Sequence, residues 1–161
     1  MNNDLIVMTF TTEEGASKTQ QALELMRGSK FWGLADAIII TRDSSGKALV
    51  HQRRESPAFQ RSPDHPLLDV LADEILGADP EEGLRKMVEL GLSETFLKGI
   101  ISALIPNSSA ILIYIRSGSL VDPQQVLDAL RQFIGTVHHT TVPAQVEAAV
   151  LGQDRRNMSA K

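Results

Sequence analysis

The adjacent pair His138–His139 offers the side chains best suited to holding a metal ion. Both lie in TVHHTTV, residues 136–142, a run of β-branched residues that reads as a strand. Neighbours in a strand point to opposite faces, so these two imidazoles cannot easily share one ion. His51 and His65 would have to converge from elsewhere in the chain. No metal ligand is therefore assigned, and the pair reads as partly exposed imidazoles on an edge strand.

The stretch FTTEEGASKTQ, residues 10–20, leaves an apolar run and enters a helical one. Free backbone N–H groups at a helix start attract anions. This stretch holds one glycine, however, and matches neither G-x-x-x-x-G-K-[ST] nor G-x-G-x-x-G. Glu13 and Glu14 would repel a phosphate there, so it reads as a capped helix start. The carboxylates of Asp69, Asp73 and Glu74, and of Glu81 and Glu82, could be imagined as acid–base pairs. Glu81 with Arg85 and Glu82 with Lys86 stand at i,i+4, the spacing of surface ion pairs. Ser108 and Ser109 lack a nucleophile-elbow setting. HQRRESPAFQR, residues 51–61, is locally basic but carries Glu55, and reads as a flexible linker. Catalytic and cofactor-binding residues thus stay unassigned, and no cofactor is implied.

Composition narrows the field further. The 161 residues fit one domain and are 42% hydrophobic and 22% charged, the make-up of a soluble globular protein. A net charge of −4 gives no domain-wide footprint for nucleic acid. Seven aromatic residues, without an RNA-binding aromatic run, argue against single-stranded RNA as a partner. With no cysteine, disulfides, thiolate catalysis and thiolate metal sites are excluded. MNNDLIVMTF carries an acid and no basic leader, so it does not read as a signal peptide. The apolar runs AIII and AILIYI are far shorter than the roughly 18 residues of a spanning helix. A cytoplasmic location is expected.

Two short segments echo each other: QQALELMR at residues 20–27 and QQVLDALR at residues 124–131. Each is a helix between strands. In the first half, residues 4–10 (DLIVMTF) and 35–41 (ADAIIIT) read as strands, and ALVHQ (48–52) returns after the turn RDSSGK. Thr11 with Glu14 has capping-box spacing, and Ala16, Thr19, Ala22, Leu23 and Met26 form an apolar stripe. In the second half, AILIYIR (110–116) is a strand, and Asp122-Pro123 opens a helix. Its expected buried stripe is Val126, Leu127, Leu130, Phe133 and Ile134, with Gly135 as the stop. TVHHTTV closes the unit, and Pro143 opens a last helix to about Leu151 before a polar tail.

This order predicts an α+β domain of ferredoxin-like, split βαβ type. Residues 1–54 form the first half, 55–107 a helical insertion, 108–152 the second half with its last helix, and 153–161 a tail. Within the insertion, residues 67–76 read as a helix with Leu67, Leu68, Leu71 and Ile75 on one face. Asp79-Pro80 opens another helix, and Ser93 caps the one carrying Phe96, Leu97, Ile100, Ile101 and Leu104. DLIVM, AIII and AILIYI place large apolar groups on both faces of the sheet. A second layer must therefore cover the face that the connecting helices leave open. The inserted helices or another subunit would supply it, and a homodimer sharing that cover is the preferred version.

With these elements placed, the chain resembles the bacterial family known only as domain of unknown function number 1269, described as predicted membrane proteins. The likeness lies in DLIVMTF, DAIIITRDSSGKALVHQ, LSETFLKGIISALIPNSSAILIYIR and DPQQVLDALRQFIGTVHHTTV. It spans about two thirds of the chain, in both flanks, and supplies no catalytic residue. The family has a glycine-rich apolar stretch in the middle. Here residues 56–92 instead carry Asp69, Asp73, Glu74, Asp79, Glu81, Glu82, Arg85, Lys86 and Glu89, which cannot span a bilayer. The expected function is a non-enzymatic, self-associating binding or regulatory module. The alternative is a small-molecule binder or small enzyme with its pocket between sheet and inserted helices, and peripheral contact with lipid headgroups is a third.

Overall fold

Three helix starts follow directly from local sequence. Asp79 accepts a hydrogen bond from the Glu82 N–H at 3.2 Å, Ser93 from Phe96 at 3.3 Å, and Asp122 from Gln124 at 3.0 Å. Proline stands in the first turn behind both Asp79 and Asp122, where its missing N–H costs nothing. These caps open three of the six helices found among the described residues of the computed structural model, which are 2–27, 36–52, 66–77, 79–116 and 122–159. The element order is β1 (Asn2–Phe10), α1 (Gly15–Arg27), β2 (Asp36–Arg42), β3 (Ala48–Gln52), α2 (Pro66–Ile75), α3 (Pro80–Glu89) and α4 (Glu94–Ala103), then β4 (Ser108–Ile115), α5 (Pro123–Leu130), β5 (Thr136–Pro143) and α6 (Ala144–Ser159).

The five strands form one sheet in the order β3-β2-β4-β1-β5, and each neighbouring pair is antiparallel. Since β1 and β2 both run against β4, which lies between them, they are parallel to each other. The same holds for β4 and β5 on either side of β1. Each strand–helix–strand unit is thus split by a strand of the other. The architecture is α+β.

Register sorts the strands' side chains into two apolar layers. Ile6, Met8 and Phe10 of β1, Ala37 and Ile39 of β2, and Ile111, Ile113 and Ile115 of β4 pack with Ala16 of α1 and Val126, Leu127 and Leu130 of α5. The alternate residues, Leu5, Val7, Ile38, Ile40, Leu112 and Tyr114, pack on the other side. There they meet Leu67, Leu71 and Ile75 of α2, Met87 of α3, Leu97 and Ile100 of α4, and Val146 and Val150 of α6. All eight residues of β4 are buried, as a strand covered on both faces requires. The second face is therefore closed by this chain's own helices. A second copy is not needed to bury it, and the face expected to be shared with a partner is already occupied.

Helix α3 passes so close to α2 that a Cβ on Gly83 would collide with the Glu74 carbonyl oxygen. Glycine is what permits that crossing.

Several expectations need correction. Helix α1 begins at Gly15, after the proposed Thr11 cap, and its first turn is held from outside. The Ser109 hydroxyl of β4 accepts from the Ala16 N–H at 3.0 Å and donates to the Thr12 carbonyl at 2.7 Å. Helix α5 ends at Leu130, so Phe133 is half-buried but Ile134 is 97% exposed and does not join the buried stripe. Gly135 does more than stop a helix, because its α-carbon runs against β1, and a Cβ there would lie 2.7 Å from the Met8 methyl. Helix α6 continues to Ser159, through most of the expected tail. Arg85 pairs with Glu82 at 3.4 Å, one turn position away from the anticipated Glu81. The linker residues 53–65 and the side chains of Leu23, Met26 and His51 lie outside what is described.

Candidate functional site

At the end of the sheet where β1 leaves for α1, three loops meet. Asp43 organises the β2–β3 turn: its carboxylate accepts from the Ser45 N–H at 2.9 Å, the Ser45 hydroxyl at 2.6 Å and the Lys47 N–H at 2.9 Å. The Ser45 hydroxyl, then the Lys47 backbone, hold that carboxyl below its usual range. The Asp43 carbonyl in turn accepts from the Asn107 N–H at 3.1 Å, fixing the entry to β4, where Asn107 adopts φ +63°. Asparagine tolerates that left-handed conformation better than most residues. Together Thr11, Thr12, Glu13, Glu14, Ser44 and Asn107 line an open cleft of about 340 Å³. Hydroxyls, an amide and two carboxylates suit a neutral polar or cationic group. They oppose the phosphate that a helix start would otherwise attract.

The opposite end of the sheet holds a buried polar network. Asn3 Nδ2 donates to the Tyr114 hydroxyl at 2.8 Å, across the β1–β4 pair. Arg116 stands with its guanidinium 5.4 Å from the Tyr114 ring centre and pairs with Glu147 of α6 at 3.3 Å. Burial, and next the Glu147 charge, push the Tyr114 phenol well above its usual range, so it stays protonated. The cluster ties the start of β1, the end of β4 and the start of α6. Sequence reading missed it. The signal was present, since Asn3 and Tyr114 are polar groups inside apolar strands, but pairing them requires the sheet register.

The two histidines of β5 diverge, as strand geometry demands. His138 turns to the face covered by the insertion, with Nε2 3.4 Å from the Thr9 hydroxyl and its ring against Gly99 of α4. Burial lowers its pKa from 6.5. His139 turns to the other face and meets Asp4 at 2.8 Å. Among the described residues, no three His, Asp or Glu side chains gather into a metal-binding group. His65 and the side chain of His51 fall outside the description. Ser109 serves as a helix clamp, and Ser108 donates to the Ile105 carbonyl at 2.5 Å. No described helix is long and apolar enough to cross a membrane.

Strand β5 forms one edge of the sheet. Among the described residues it pairs only with β1, and Thr136, His139 and Thr141 are exposed. Ile134 stands out into solvent just before it. Against known proteins, no family model matches the chain, and no curated protein or solved structure matches it either.

Proposed function

We propose that the chain is a non-catalytic binding or regulatory module that associates with copies of itself, in its simplest form as a cytoplasmic homodimer. Its frame is a ferredoxin-like split βαβ domain with a helical insertion. In this reading it is a soluble relative of the family of unknown function numbered 1269, with helices α2 and α3 in place of the glycine-rich stretch. Support for the frame comes from the strand order: setting aside the hairpin strand β3, strands of the first and second halves alternate across the sheet.

The observation that carries self-association is the β5 edge. An edge strand presents unpaired backbone groups, which proteins ordinarily shield with lysine, proline, short length or a bulge. Strand β5 is eight residues long, and TVHHTTV contains no lysine, arginine, aspartate or glutamate, with proline only at its end. Both faces of the sheet being filled, the edge takes over the role expected of a face. Native mass spectrometry at micromolar concentration tests this. A dimer without added mass is the expected result, and a monomer at tens of micromolar would overturn it.

The second reading is a small-molecule binder. The layer between sheet and insertion is apolar and nearly all buried, so the loop-end cleft at Thr11, Glu14 and Asn107 is the place that favours it. A retained small molecule of defined mass in the same spectrum would support that reading.

A further inference from the structure

We infer that two copies of this chain join edge to edge through β5, antiparallel, about a two-fold axis that passes between Thr140 and its copy. This rests on the self-association proposed above and names its geometry.

The reasoning starts from symmetry. A two-fold axis that extends an antiparallel sheet must stand perpendicular to it, so each copy keeps its faces on the same sides. Opposed residues in an antiparallel pair point to the same face. The axis must therefore pass midway between a residue and its own copy, never between a residue and the copy of its neighbour. Centring on His138 or His139 would set imidazole against imidazole, which repel when protonated. Centring on Thr140 sets hydroxyl against hydroxyl, His139 against Thr141, and His138 against Val142. Threonine pairs and threonine beside histidine are compatible cross-strand neighbours. Centring on Thr141 also avoids the clash but leaves a shorter ladder, because Pro143 ends the strand. The Thr140 register also brings Ile134, 97% exposed, to the point where the partner's strand passes into α6.

The opposite edge is a poorer candidate. Strand β3 is five residues long and leaves a turn that holds Asp43 and Lys47, flanked by Arg42. The exposed side chains of β5 are hydroxyls and an imidazole already engaged by Asp4, so a charged foreign peptide gains little there. A second copy presents the same hydroxyls in return.

The chain has no cysteine, so a single introduced thiol reports without background. On the axis, the Cα atoms of two Thr140→Cys copies would lie about 4.5–5.5 Å apart, within the roughly 4.4–6.8 Å that a disulfide spans. Mild oxidation of the dilute full chain should convert T140C into a disulfide dimer, while T136C stays reduced. In parallel, Thr140→Lys opposes two ammonium groups on the axis and should weaken the dimer about tenfold or more. Its thermal unfolding should match the parent monomer, which separates lost association from lost folding. A cross-link by His139→Cys and none by T140C overturns the register. A parent dimer that T140K leaves intact and T140C fails to cross-link overturns the edge contact while self-association stands. A monomeric parent protein overturns both.

Discussion

The two faces of this sheet are covered in different ways. On one face, α1 and α5 are the crossovers that any strand–helix–strand unit must have, and they meet a layer of isoleucine, methionine and phenylalanine. On the other face, the cover comes from α2, α3 and α4, none of which is needed to connect the paired strands, with α6 beside them. The buried polar groups differ accordingly. Asn3, Thr9 and Tyr114 are all in the strands' insertion-facing register, and His138 turns to the same side. The crossover layer has polar contacts of its own, since the Ser109 hydroxyl holds the start of α1 at one end and His139 meets Asp4 at the other. On the insertion face the buried hydrogen bond joins two strand side chains, Asn3 and Tyr114, and such a directional bond penalises misregister more sharply than apolar burial does.

The strongest probe of this difference is a pair of neighbours in β4. Leu112 faces the insertion and Ile113 the crossover helices, and both are at most 1% exposed. Leu112→Ala and Ile113→Ala should each lower unfolding free energy by about 2–5 kcal/mol in urea titrations. A negligible loss for Leu112→Ala alone would mean that the inserted layer is not packed as described. Next comes Gly83→Ala, which must push α3 away from the Glu74 carbonyl. Overpacking of this kind costs about 1–3 kcal/mol and should be read in the same titration. Tyr114→Phe keeps the ring but removes the hydroxyl that accepts from the buried Asn3 amide, for a loss of about 1–3 kcal/mol. An Asn3→Leu change added to it should restore part of that loss.

A gentler effect should appear with pH. Because burial lowers the folded-state pKa of His138 from 6.5, the unfolded chain binds its proton more readily. The stability tied to neutral His138 is therefore complete above about pH 6.5 and declines as pH falls below it. Melting temperatures between pH 8 and pH 5 should show that decline, and His138→Gln should reduce it. Smallest of all, Arg131→Ala removes an exposed pair with Asp128 at 3.3 Å and should move stability by a few tenths of a kcal/mol.

How much was legible in the sequence follows the range of the interactions involved. Asp79, Ser93 and Asp122 were readable as caps because acceptor and donor lie within three residues of one another. The ends of β3 and the opposite outlook of His138 and His139 were readable for the same reason. Ser109 could not be seen as the clamp of α1, since its partner Ala16 is 93 positions away. Ile134 failed because periodicity continues through a helix end, whereas the chain turns at Arg131. The identity of the second cover was also hidden, because an apolar face states that it must be buried and not by what. Of the candidate sites, the histidines were placed correctly on the strand, while the Asn3–Tyr114 network and the loop-end cleft required three-dimensional register.

The position of β4 between β1 and β2 bears on how this chain leaves the ribosome. Asn3 waits for Tyr114 across 111 positions, and until then β1 and β2 have no common neighbour to hold them side by side. The first half of the nascent chain must expose strands as apolar as LIVM and AIII throughout most of its synthesis. Such pairing over long separations is slow and prone to aggregation. The acidic helices made during that interval, α2 and α3, add amphipathic surface to that of α1 before the sheet can close.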